Sequence, residues 1–137
     1  MPSIKKIVII VFLFSGILLS AITTGAQVPQ EITKSLKTGN SKVLSEYFNQ
    51  NVELVVLEND NVYSKAQAQQ IVDNFFSANS PINFTVSHEL GREGSKSVIG
   101  NLSTKSGTFR VYFLLKQNDG KNYIHQLRIE KLEESDE

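Results

Sequence analysis

Residues 64–90 read SKAQAQQIVDNFFSANSPINFTVSHEL, and a change of hydrophobic period inside this stretch decides the fold class. Ser64 stands three residues before Gln67, the spacing of a capping box, in which each side chain hydrogen-bonds the other residue's backbone N–H at a helix start. Behind it Ala66, Ala68, Ile71, Val72, Phe75 and Phe76 gather the apolar groups of a long helix, with Ala68, Ile71, Val72, Phe75 and Phe76 at spacings of three and four. The helix is expected to stop between Ser77 and Pro81, because a proline disfavours helical geometry in the residue before it. Beyond Pro81 the period drops to two. Ile82, Phe84, Val86, His88 and Leu90 alternate with Asn83, Thr85, Ser87 and Glu89, which predicts a strand with one buried and one wet face.

Working toward the C-terminus, Gly91 to Gly94 is a turn, Ser97 to Thr104 a second strand, Ser106-Gly107 another turn, and Thr108 to Lys116 a third strand. Asn118-Asp119-Gly120 contains the Asp-Gly hairpin signal and leads into Tyr123 to Leu132. Short connections between successive strands imply an antiparallel meander. Working toward the N-terminus, Val52 to Leu57 is β-rich and is followed by the turn formers Glu58-Asn59-Asp60-Asn61. Before it, Val43, Leu44, Tyr47 and Phe48 form the stripe of a helix capped by Asn40 or Ser41, and Ile32 with Leu36 mark a shorter one that ends at Gly39.

The chain has 137 residues, 14 Lys+Arg, 14 Asp+Glu, two His and no Cys. That length suits one domain. Without cysteine there is no disulfide, thiolate zinc site, iron-sulfur cluster or cysteine nucleophile. Two histidines outside a HExxH pattern do not make a histidine zinc site, so neither a metal nor another cofactor is called for. Lys5 and Lys6, the apolar run Ile7 to Ile22, and the small residues Thr23 to Ala26 follow the plan of a secretory signal peptide. Cleavage is expected after Ala26, and the product is exported to the periplasm or beyond the cell with no stable membrane anchor. Removing residues 1–26 leaves 12 basic and 14 acidic residues, a net charge of −2, which gives no electrostatic attraction for nucleic acid. Residues 27–132 then form one α+β domain, and residues 133–137 an acidic, frayed tail.

Helix, helix, strand, long helix and four meandering strands resemble the nuclear-transport-factor-two-like (NTF2-like) superfamily, a cone of bent sheet wrapped on a long helix. A closer likeness is to a bacterial family of small secreted proteins of unknown function with that fold. It is carried by Leu36-Lys37-Thr38-Gly39-Asn40, Tyr47-Phe48, Tyr63-Ser64-Lys65 with Gln67-Ala68, Asp73-Asn74-Phe75-Phe76, Phe84 with His88, Ile99-Gly100, and Ile124-His125-Gln126-Leu127-Arg128-Ile129. The resemblance implies N-terminal helices packed on a strongly curved antiparallel sheet of four to five strands. It implies shape rather than chemistry.

Alternation along the strands puts His88 on the face of Phe84 and Val86, and His125 on the face of Tyr123, Leu127 and Ile129. The candidate ligand-binding residues are therefore His88, His125, Tyr112, Arg110 and Gln126, with Arg128 extending a cationic strip. Histidines at a sheet rim that bond to backbone carbonyls are the simpler reading. Two functions follow. The first is a noncatalytic secreted domain that binds an apolar small molecule in the cone or a protein partner through the sheet, with a homodimer through the sheet as one form. The second is a small isomerase or hydratase-type enzyme using His88 with Asp73 or His125. Binding is favoured, because no general base has a positioned partner in the sequence. Native mass spectrometry of the protein from its own producing cells should give a mass spanning Gln27 to Glu137; a mass retaining Met1 to Ala26 refutes the cleavage.

Overall fold

A computed structural model describes residues 28–133; the expected signal peptide (1–26) and all but the first residue of the acidic tail lie outside the described residues. Helix α1 (Gln30–Thr38) ends at Gly39, whose φ of 73° is the left-handed cap that glycine adopts without strain. Helix α2 (Ser41–Glu46) is capped by the Asn40 side chain, which accepts from Val43 N–H at 3.1 Å. Tyr47 and Phe48 do not continue α2, as their spacing suggested. The Tyr47 carbonyl accepts from Ile124 N–H at 2.6 Å, and Phe48 opens strand β1 (Phe48–Val56). Pairing with a distant strand overrides the local helical pattern.

Strand β2 (Asn59–Ser64) occupies what the sequence marks as a turn cluster. The turn itself is only Leu57-Glu58, and β2 pairs antiparallel with β1, Val56 opposite Asn59 and Val52 opposite Tyr63. It is a polar edge strand, exposed almost throughout, so it carries no apolar alternation to betray it. Helix α3 (Lys65–Ala78) opens with the expected capping box, Ser64 Oγ accepting from Gln67 N–H at 3.2 Å. The strands β3 (Pro81–Arg92), β4 (Ser95–Thr104), β5 (Gly107–Asn118) and β6 (Lys121–Lys131) meander antiparallel as expected. The Asp119-Gly120 turn has φ of 52° and 76°, both positive as a tight hairpin turn requires.

The result is one six-stranded sheet in the order β2-β1-β6-β5-β4-β3, two strands or one more than the four to five expected. All pairs are antiparallel except β1 with β6, which run parallel. Helix α3 must cross from β2 at one edge to β3 at the other, so it lies over one face and buries Ala68, Val72, Phe75 and Phe76 there. Phe75 meets Phe109 edge to face at 5.0 Å between ring centroids. Val111, Phe113, Leu127 and Ile129 are also fully buried on this side, so side chains fill the space between helix and sheet.

Gly100 shows how tightly the far edge is closed. A Cβ there would lie 2.5 Å from Cζ of Phe84 and 2.6 Å from the Thr85 carbonyl oxygen, because the Phe84 ring folds over the glycine from the neighbouring strand. Gly100→Ala should therefore destabilise by about 1–3 kcal/mol through overpacking, read as a lowered Tm in thermal unfolding. An unchanged Tm would mean that Phe84 does not hold this position.

Candidate functional site

The side chains singled out from the sequence come together on the face of the sheet turned away from the helices. Directly opposed residues of neighbouring strands share a face, so the register can be followed across the sheet. One row runs Val55, Arg128, Tyr112, Ile99, His88 and the next Glu53, Gln126, Leu114, Ser97, Leu90. Arg110 stands opposite Glu130, one step along. The surface has a half-buried centre of Tyr112, Leu114, Ile99 and Val55, surrounded by charged and amide groups.

Two bulges decide where the histidines point. On β3 the register slips between Val86 and His88, so Ser87 and His88 share the partner Ile99, and His88 and Leu90 turn away from the core. A second slip between Pro81 and Asn83 displaces Ile82. Of the alternating set read from the sequence, Phe84 alone is buried, while Ile82, Val86, His88 and Leu90 are exposed. His88 therefore does not share a face with Phe84 and Val86. On β6 the slip between Leu114 and Leu115 leaves His125 as the extra residue, between buried Ile124 and half-buried Gln126. His125 therefore parts from the Leu127 and Ile129 face to which alternation assigned it.

The catalytic pairs do not form. Asp73 on α3 accepts a 2.7 Å hydrogen bond from Ser41 Oγ, on the helix side of the sheet and away from His88. His88 and His125 lie on strands three spacings apart, about 14 Å, beyond proton-transfer reach. The polar groups of the outer face are tied to one another: Gln126 Nε2 donates to Glu53 Oε2 at 2.6 Å, Arg128 Nε lies 3.4 Å from Glu130 Oε1, and the Tyr112 and Ser97 hydroxyls are 3.4 Å apart. Among the described residues no group of three His, Asp or Glu could hold a metal ion.

One end of this face opens into a groove of about 380 Å³ lined by Glu53, Val55, Asp60, Val62, Gln126 and Arg128. Sequence reasoning missed Asp60 and Val62, because β2 reads as a turn, and gave Glu53, on the strand it read from Val52 to Leu57, no part in the site. The available signal was charge: from Phe48 through Ser64 there are three acids and no Lys or Arg.

The family model described as Domain of unknown function (DUF4783) matches residues 29–130. The chain belongs to the DUF4783 family. A DUF4783 crystal structure from Bacteroides ovatus is similar at 35% identity and TM-score 0.75, covering 80% of this chain and 100% of its own. Another, from Bacteroides uniformis, has 34% identity and TM-score 0.74, covering 79% and 100%. A search of curated proteins finds no match. The DUF4783 chain also has the NTF2-like fold, being similar to the structure Rd1NTF2_04 with long sheet at 21% identity and TM-score 0.59 over 73% of this chain and 94% of that one.

His125 gives the DUF4783 face a titration. Burial, and then the positive charge of Lys116, hold its pKa below the usual 6.5. The unfolded chain takes up this proton first as pH falls, so the histidine's effect on stability is complete above pH 6.5 and is lost as pH drops through the lower folded value. Urea unfolding across that window should show stability falling with pH, and His125→Gln should flatten the slope; an equal slope in the variant would refute the assignment.

Proposed function

We propose that this DUF4783 protein is a noncatalytic binding protein that engages a protein partner through the sheet face turned away from its helices, after export from the cytoplasm. The observation that carries this reading is the contrast between the two faces. The helix side is closed by Phe75, Phe76, Phe109 and Phe113, all buried. The opposite side leaves an aromatic and aliphatic centre half-exposed inside a polar rim, the anatomy of a protein interface. A filled interior favours this over an apolar small molecule held in the cone, and separated titratable groups favour it over proton-transfer catalysis. His88, His125, Tyr112, Arg110 and Gln126 then serve as rim and centre of a contact surface, and a second copy of the chain is one partner such a surface admits.

Leu114 lies half-buried at the centre of the face, opposite Gln126 and Ser97. Leu114→Arg should keep the circular dichroism of the folded protein while abolishing partner association. Cross-linking mass spectrometry on the producing cells would read this as the loss of cross-links that map to β4, β5 and β6. Cross-links confined to α1 and α2, or a small-molecule adduct retained in native mass spectrometry, would sink this reading.

A further inference from the structure

The two edges of the sheet are finished differently. β2 is six residues long and polar, and Asn61 Oδ1 already accepts from the Val62 N–H at 2.8 Å, so that edge offers an approaching strand little to bond. β3 is twelve residues long, with no lysine and with its one proline at the first position. Pro81 lies against Gly39 and the Phe84 ring over Gly100, which closes the first part of the strand. From Thr85 to Arg92 every residue is exposed, and on the side away from β4 the backbone of this stretch meets no hydrogen-bond partner among the described residues.

Within this stretch His88 to Arg92 is a preformed template. The bulge ends at His88, and beyond it the pairing with β4 is regular, from His88 with Ile99 to Arg92 with Ser95. The ribbon is held by Ser87 Oγ donating to the Ile99 carbonyl at 3.0 Å, by the Glu89–Lys96 ion pair at 3.7 Å, and by Gln117 N–H donating to the Gly94 carbonyl at 2.9 Å. Leu90, at its centre, is 69% exposed, more than any other large apolar side chain among the described residues. Unpaired edge backbone beside an exposed leucine is completed by an extended chain, which supplies the hydrogen bonds and the apolar side chain together.

The neighbouring charges select the sequence of that chain. Arg92 shares the outer face with Leu90, and its row continues through Ser95 to Lys116; neither cation has an acidic partner among the described residues. Glu89 is on the opposite face, beside buried Val98 and paired with Lys96, and Glu93 follows in the turn. An antiparallel added strand therefore fits with an acid opposite Arg92 and, two residues later in its own sequence, an apolar residue opposite Leu90. A second copy of β3 matches poorly. A two-fold axis normal to the sheet at Leu90 sets Arg92 against His88, and one at Glu89 sets that carboxylate against itself. An axis at Gly91 sets Leu90 against Arg92 and Glu89 against Glu93.

We propose that the His88 to Arg92 edge of β3 is a strand-addition site for an extended segment of a partner protein, bound antiparallel and carrying Asp or Glu two residues before an apolar residue. Backbone hydrogen bonds supply the affinity, and Leu90 and Arg92 supply the choice of sequence. This contact is distinct from the outer face and does not rest on the reading of that face as a partner surface.

The test uses the purified protein and a fluorescent peptide, Thr-Thr-Glu-Thr-Val-Thr-Thr, with a counterpart in which Lys replaces Glu. The acidic peptide should bind, and the lysine peptide should bind about tenfold more weakly or worse. N-methylation of alternate peptide residues should abolish binding in one phase and spare it in the other, since only every second residue of an added strand bonds the edge. Hydrogen exchange should slow in β3 when the peptide binds. Leu90→Lys should weaken binding about tenfold with Tm unchanged, Arg92→Glu should switch the preference to the lysine peptide, and Lys42→Glu on α2 should alter neither. Failure of the acidic peptide to bind, equal losses in both N-methylation phases, slowed exchange in β2 instead of β3, or an equal loss in Lys42→Glu would overturn the proposal. So would self-association that Leu90→Lys abolishes without any peptide binding, since the edge would then serve a second copy. If Leu114→Arg blocks partner association and the peptide does not bind, this proposal fails while the outer-face reading stands; peptide binding with no effect of Leu114→Arg gives the converse.

Discussion

The packing of α3 across the sheet is the interaction on which the remaining structure depends. β2 ends at one edge of the sheet and β3 begins at the other, so the helix between them has to cross the whole face. Its apolar stripe of Ala68, Val72, Phe75 and Phe76 is buried by that crossing, together with the inward residues of β1, β5 and β6. Burial of this kind is the dominant favourable term in folding. It commits the helices to one side of the sheet and leaves the other side uncovered by any element among the described residues.

The uncovered face is shaped by two kinds of local irregularity. Bulges on β3 and β6 turn His88 outward and make His125 the unpaired extra residue of its strand, and each bulge also sharpens the local twist. The parallel junction of β1 with β6 brings Glu53 beside Gln126, so the first strand of the chain lies against the last. That junction makes a continuous surface from residues more than seventy positions apart, as in the Gln126 to Glu53 hydrogen bond with a separation of 73.

Most elements were legible because their local signals agreed with their final environment. The capping box at Ser64, the stripe from Ala68 to Phe76, the left-handed Gly39 and the Asp119-Gly120 turn each behave in the structure as their residue types dictate. β2 was illegible because an exposed edge strand has no buried face to impose alternation on its sequence. Phe48 was misassigned to α2 for the opposite reason: it is buried at a helical spacing, but buried by its pairing with Ile124 rather than by helix packing. The candidate residues were gathered on one surface, though for His88 the route was wrong, since the alternation that placed it beside Phe84 is broken by one inserted residue.

The sequence by itself determined the elements of the meander, the long helix that precedes it and the apolar stock of the core, because these follow from periodicity and turn chemistry within a few residues. It also determined the absence of cysteine chemistry and a net charge near neutrality. Only the tertiary structure decided which face each histidine occupies, that Asp73 is engaged by Ser41 on the helix side, and that Glu53 and Asp60 line one groove. A single inserted residue flips every later side chain of a strand to the other face, and a strand's neighbours are chosen by chain crossings far away in sequence. Neither leaves a local mark.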